Sequence, residues 1–129
     1  MQDTHNHHGI VLFAHGSRDP LWRAPIEAVR QHLEAQHPPA QQPTSVRCAY
    51  LELCTPSLPD AVQELAAQGA SRITVVPMFL GTGKHAREDL PVLMQDLRSA
   101  HPGVQFHVQQ AIGEDARMTA LMAEIARGS

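Results

Sequence analysis

Four short apolar runs alternate along the chain with four amphipathic stretches. The first run, "GIVLFA" (9–14), is continuous and carries β-branched residues, the pattern of a strand buried on both faces. Leu21, Trp22, Ile26, Val29 and Leu33 then recur at helical spacing behind Asp19 and Pro20, a cap and a first helical position. Pro25 kinks this helix or shifts its start. The polar "HPPAQQPTS" (37–45) breaks the periodicity and leads to a second strand, roughly 46–51. Ser57 and Asp60 read as a capping box ahead of the stripe Leu58, Ala61, Val62 and Leu65, which Gly69 stops.

"RITVVPMFL" (72–80) is the third strand, with regular pairing expected to end near Pro77, which lacks a ladder donor. A glycine-containing loop follows, and Leu90, Leu93, Met94 and Leu97 mark a helix whose regular part is expected to start at Pro91. "VQFHVQ" (104–109) is the fourth strand, and Met118, Leu121, Met122 and Ile125 mark the last helix. This alternation predicts an α/β fold in three layers, flavodoxin-like, with helices on both faces of a four-stranded parallel sheet. With strand order 2-1-3-4 the chain changes direction between the first and third strands, and a ligand belongs beyond their carboxyl ends.

Composition narrows this picture. The 129 residues suit one domain, expected over 9–129, with "MQDTHNHH" (1–8) as a frayed leader. Thirteen acidic against ten basic residues, without long runs, give a net charge of −3 and argue against broad nucleic-acid binding. No apolar run approaches the ~20 residues of a membrane span, and no signal-peptide pattern is present, so a cytoplasmic protein without a membrane partner is expected. Cys48 and Cys54 fit buried free thiols better than a disulfide or zinc knuckle.

Nine histidines are the unusual feature. His5, His7 and His8 fall in the leader, where they collect metal ions loosely or do nothing; His32, His37, His101 and His107 lack neighbours of ligand type. His15 and His85 stand apart, each just past the end of a buried strand, and those strands are expected to be neighbours about 5 Å apart. Glu52 closes the second strand on the other side of the first. Two imidazoles and a carboxylate around one opening suit a divalent first-row metal, with vacant positions left for exchange.

Ser17 and Arg18 follow His15, while Lys84 and Arg87 flank His85, so anions are attracted locally unless the arginines pair with Asp19, Glu88 or Asp89. Phe79, Leu80, Leu53 and Met78 supply an apolar wall or belong to the core. "GTGKH" (81–85) is no phosphate-binding loop, since His85 replaces the Ser or Thr and no glycine stands five residues earlier. Its glycines, Gly81 among them, let the backbone approach a large ligand.

"GIVLFAHGSRDP", "LELCTPSLPDAV" and "ITVVPMFLGTGKHAREDLP" together make the chain resemble the short CbiX-like class II chelatases, relatives of sirohydrochlorin cobaltochelatase and ferrochelatase. The resemblance implies insertion of a divalent metal into sirohydrochlorin or a related acidic tetrapyrrole, in cobalamin- or sirohaem-type biosynthesis. Co²⁺ is the first expectation and Ni²⁺ or Fe²⁺ the alternatives, with the metal as substrate and no organic cofactor. It implies that His15 and His85 are the active-site histidines, with Glu52 as a third metal-interacting group and Ser17, Arg18, Phe79, Leu80, Gly81, Lys84 and Arg87 around the substrate. Because longer relatives carry two such lobes, a homodimer is expected. Two alternatives remain: a metal or tetrapyrrole carrier using the same site, and a histidine phosphatase. The latter requires Arg before the His-Gly pair, where this chain has Ala14.

Overall fold

The computed structural model describes residues 7–36 and 44–128. Most of the proline-rich connection, with His37, and the leader up to residue 6, with His5, lie outside the described residues. The chain runs β1 (His8–Ala14), α1 (Ala24–Ala35), β2 (Thr44–Tyr50), α2 (Leu58–Ala67), β3 (Arg72–Pro77), α3 (Lys84–Ala100), β4 (Gln105–Val108) and α4 (Ala116–Arg127). All strand pairs are parallel and the order is β2-β1-β3-β4. The expected 2-1-3-4 sheet is therefore the observed one.

Period-two alternation divides the sheet into two faces. Val11 and Phe13 of β1, Ala49 of β2, and Ile73 and Val75 of β3 meet the buried stripes of α2 and α3. Leu12 and Ala14, Val46, Cys48 and Tyr50, and Val76 meet Ile26 and Leu33 of α1 on the other face. Such burial, at about 25 cal/mol per Å² of apolar surface, fixes the register, since a one-residue slip would turn every one of these side chains over. The fourth helix differs: none of its residues is buried, and Met118, Leu121, Met122 and Ile125 join neither cluster.

Local signals act largely as expected. Asp19 caps a 3-10 turn over Pro20–Arg23 by accepting from the Leu21 N–H, and Pro25 then sits in the first turn of α1. The Ser57 side chain accepts from the Asp60 N–H to start α2, and Gly69, at φ +98°, stops it. Cys48 and Cys54 are free thiols, the first buried and the second half-buried.

Two boundaries differ. The third helix begins at Lys84, capped by Gly83, so that Pro91 lies inside it rather than at its start. Pro91 leaves the Arg87 carbonyl without an intrahelical donor, but it is solvent-exposed, where helices bend convexly and such bonds are already long. At the other end of the chain the strand starts at His8, inside the expected leader. His7 Nε2 lies 2.9 Å from Ser45 Oγ and His8 Nε2 lies 2.8 Å from Thr74 Oγ1, which ties both to the sheet.

Candidate active site

His15 is the first residue past β1, and its backbone is held by the loop that follows β2. The Leu51 N–H donates to the Ala14 carbonyl at 2.9 Å and the Glu52 N–H to the His15 carbonyl at 3.0 Å. Gly16, at φ +105°, is required here, because a Cβ would overlap the Glu52 carbonyl oxygen. Leu53, next in the same loop, holds φ +69°, a left-handed conformation that costs a bulky residue roughly 1–3 kcal/mol. The loop therefore pays for its shape, and in doing so it brings the Glu52 and His15 main chains together.

The His15 ring rests on Phe79, with centroids 4.3 Å apart and planes 30° apart. Phe79 itself is 2% exposed and packs against Phe13, so it lies beneath His15 and does not line the opening as expected. Its position continues the alternation of Val75 and Pro77 beyond the strand end, a signal that identifies it as core. Leu80 (71% exposed) and Leu53 (52% exposed) remain at the surface past β3 and β2, with Leu21 (80% exposed) past β1. Met78 is half-buried against the α1-side cluster.

His85 stands exposed in the first turn of α3. No hydrogen bond to the ring of either His15 or His85 occurs among the described residues, which leaves their nitrogens available. Arg87 donates from its guanidinium to the Thr82 carbonyl at 2.8 Å, closing the loop on itself. Neither Arg87 nor Arg18 forms an ion pair among the described residues, whereas Arg30, Arg47 and Arg117 do. Lys84 and Gly81 are exposed beside them. Ser17 is engaged locally, its Oγ accepting from the Asp19 N–H at 3.1 Å.

Three expected metal-interacting residues thus occupy two junctions rather than one closed cage. Among the described residues no three His, Cys, Asp or Glu side chains are grouped to hold a metal ion. The pair brought together by main-chain bonds is His15 with Glu52; His85 arrives from the helix beyond β3.

Sequence reasoning also passed over Gly113, in the turn after β4. A Cβ there would overlap the Leu80 main chain, and the Gly113 N–H donates to the Phe79 carbonyl at 2.9 Å. Nothing in "AIGED" separates this glycine from an ordinary turn residue.

Behind the site, Tyr50 donates its hydroxyl to Glu27 Oε2 at 3.3 Å, while Trp22 packs edge-on against its ring. Burial, followed by the neighbouring Cys48 and Glu27, pushes the Tyr50 hydroxyl well above the usual phenol value. Burial and then Glu27 push the Cys48 thiol up to about 12. Both groups stay neutral at ordinary pH and support β2 rather than react.

The CbiX family profile matches residues 9–128. The chain belongs to the CbiX family. A putative cobalamin biosynthesis CbiX protein from Marinobacter aquaeolei superposes with a TM-score of 0.79 at 31% identity, covering 94% of this chain and 95% of that one. SirB from Bacillus subtilis, a sirohydrochlorin chelatase solved with cobalt, superposes with a TM-score of 0.77 at 24% identity; 95% of this chain matches only 50% of SirB and shows a shared fold.

Among curated relatives, the sirohydrochlorin cobaltochelatase of Methanothermobacter thermautotrophicus is 35% identical over 88 residues, 67% of this chain and 57% of the relative. This CbiX-family chain thus spans less than two thirds of that relative's length. The sirohydrochlorin ferrochelatase of Arabidopsis thaliana is 32% identical over 106 residues, 81% of this chain and 45% of the relative. Iron and cobalt enzymes therefore both stand among its relatives, and neither the histidine-phosphatase nor the carrier reading gains support.

Proposed function

We propose that this chain is a sirohydrochlorin chelatase: it inserts a divalent metal ion, Co²⁺ foremost, into sirohydrochlorin or a closely related acidic tetrapyrrole. The observation that carries the reading is the pair of exposed histidines, His15 and His85, lying beyond the carboxyl ends of the adjacent strands β1 and β3 in a CbiX-family fold. Ligands in open parallel sheets bind at that switch point. The names of the relatives supply the reaction class.

The residue types suit the reaction. A tetrapyrrole loses two pyrrolic protons as its four nitrogens take the metal from its water shell. Imidazole, with an ordinary pKa near ~6.5, supplies a neutral nitrogen that holds the ion or accepts a proton. His15 and His85 share these tasks, and Glu52, joined to His15 through the main chain, assists. The metal is a substrate, held in passing. Arg18, Lys84 and Arg87 attract the peripheral carboxylates, Ser17 and Gly81 shape the two loops, and Leu80 and Leu53 offer the apolar surface against which the macrocycle lies.

A homodimer completes the reading, the second copy supplying a second lobe. Its support is the uncovered stripe of α4, with Ile125 65% and Leu121 47% exposed, and the double length of SirB relative to the matched chain. A single-chain mass by light scattering would remove this part. The site of action in this reading is the cytoplasm.

The test is to mix the purified protein with sirohydrochlorin and Co²⁺, Fe²⁺ or Ni²⁺ and follow the visible spectrum against the protein-free rate. Acceleration is expected, greatest with Co²⁺. Acceleration with Fe²⁺ or Ni²⁺ but not Co²⁺ changes the metal and keeps the reaction; no acceleration with any metal sinks the reading.

A further inference from the structure

We infer that Phe79 positions the His15 imidazole and that Gly113 holds Phe79 in place, an inference that rests on His15 being an active-site residue as proposed above. His15 is anchored through its main chain, yet among the described residues its ring has no hydrogen bond to fix its rotamer. An exposed imidazole held only at the backbone moves among staggered wells. Metal transfer and proton removal both require a ring nitrogen at a set place, and small misplacements of a reacting group are expensive in rate.

The contact that sets the ring is Phe79, at 4.3 Å between centroids and 30° between planes, a tilted aromatic pair. The phenyl ring lies against the imidazole, and His15 as a whole stays exposed. Phe79 is a sound platform because it does not move freely. It is 2% exposed and packs against Phe13 at 6.0 Å and 60°.

The second link comes from the turn after β4. The Gly113 N–H donates to the Phe79 carbonyl at 2.9 Å, and the Gly113 α-carbon is so close to the Leu80 main chain that no side chain fits. The fourth strand therefore contributes to the site without lending a side chain to it. Its turn pins the residue on which His15 rests. Phe79 is thus a positioning residue, acting through His15 rather than on substrate.

The experiment begins with the unaltered protein. In its proton NMR spectrum the His15 ring resonances should lie upfield of those of exposed His32 and show cross-relaxation to the Phe79 ring. In Phe79→Leu the upfield shift should vanish, and kcat for metal insertion should fall roughly tenfold with KM changed by less than about twofold. Phe79→Tyr, which keeps the ring, should restore both. Val46→Ala empties a buried position on the other, α1-facing side of the sheet; it should lower Tm and leave the His15 shift in place.

Absence of the shift and cross-relaxation in the unaltered protein overturns the inference, even where no Phe79 variant folds. So does a Val46→Ala protein whose kcat falls as far as that of Phe79→Leu, because the effect is then one of core packing. A normal stack in a protein that accelerates no metal insertion supports the contact and sinks the chelatase reading, so the two failures are told apart.

Discussion

The two ends of the sheet each present a pair of histidines, and the pairs are treated oppositely. At the amino end, His7 and His8 are half-buried and each meets a hydroxyl, on Ser45 and Thr74. At the carboxyl end, His15 and His85 are exposed and their rings have no hydrogen-bond partner among the described residues. A satisfied imidazole is a structural part, because using its nitrogen elsewhere breaks a bond already made. An imidazole with free nitrogens at a loop held by other means is available for chemistry. Position in the fold, rather than residue type, separates the two pairs.

The largest test of this contrast is Gly16→Ala. The new methyl overlaps the Glu52 carbonyl at a left-handed φ, so the loops after β1 and β2 must part and His15 must move. Metal insertion should fall by about 10²-fold, while the His8 to Thr74 bond at the far end persists; NMR of the His8 ring checks this. Equal damage at both ends would show a fold defect and erase the contrast.

A smaller effect is expected from His8. Burial, then Arg72 and His7, lower its pKa from the ordinary value. A folded-state pKa below the unfolded one favours the neutral form, so the unfolded chain binds more protons between the two values and stability falls as pH falls through that window. Above pH ~6.5 the contribution is complete. Thermal melts from pH 7 down to 5 should show a shallower decline in His8→Gln than in the parent. Parallel curves would contradict the assignment.

Much of the fold was legible because it rests on local pattern. Four apolar runs with helical stripes between them mark β1 to β4, the 2-1-3-4 order expected of such a fold is the one observed, and Ser57 and Gly69 mark the ends of α2 by chemistry that is nearly independent of context. His8 was misread because "NHH" has no local periodicity; what makes it a strand residue is Thr74, sixty-six positions away. Pro91 misled for a related reason, since a proline starts helices well but is tolerated within one on its exposed side. His15 directly follows β1 as the sequence indicates, whereas Glu52 lies in the loop after β2 and His85 in the first turn of α3. The stack of His15 on Phe79 and the Gly113 turn beneath it were not legible, because both are made by residues distant in sequence.

The central claim is that the carboxyl-end histidines, and not the amino-end ones, act on the metal. Initial rates of Co²⁺ insertion into sirohydrochlorin, measured side by side for the double variants His15→Ala/His85→Ala and His7→Ala/His8→Ala, test it most directly. The first should lose at least about 10²-fold of the acceleration and the second should keep most of it. The reverse order, or equal losses in two folded proteins, would contradict the account.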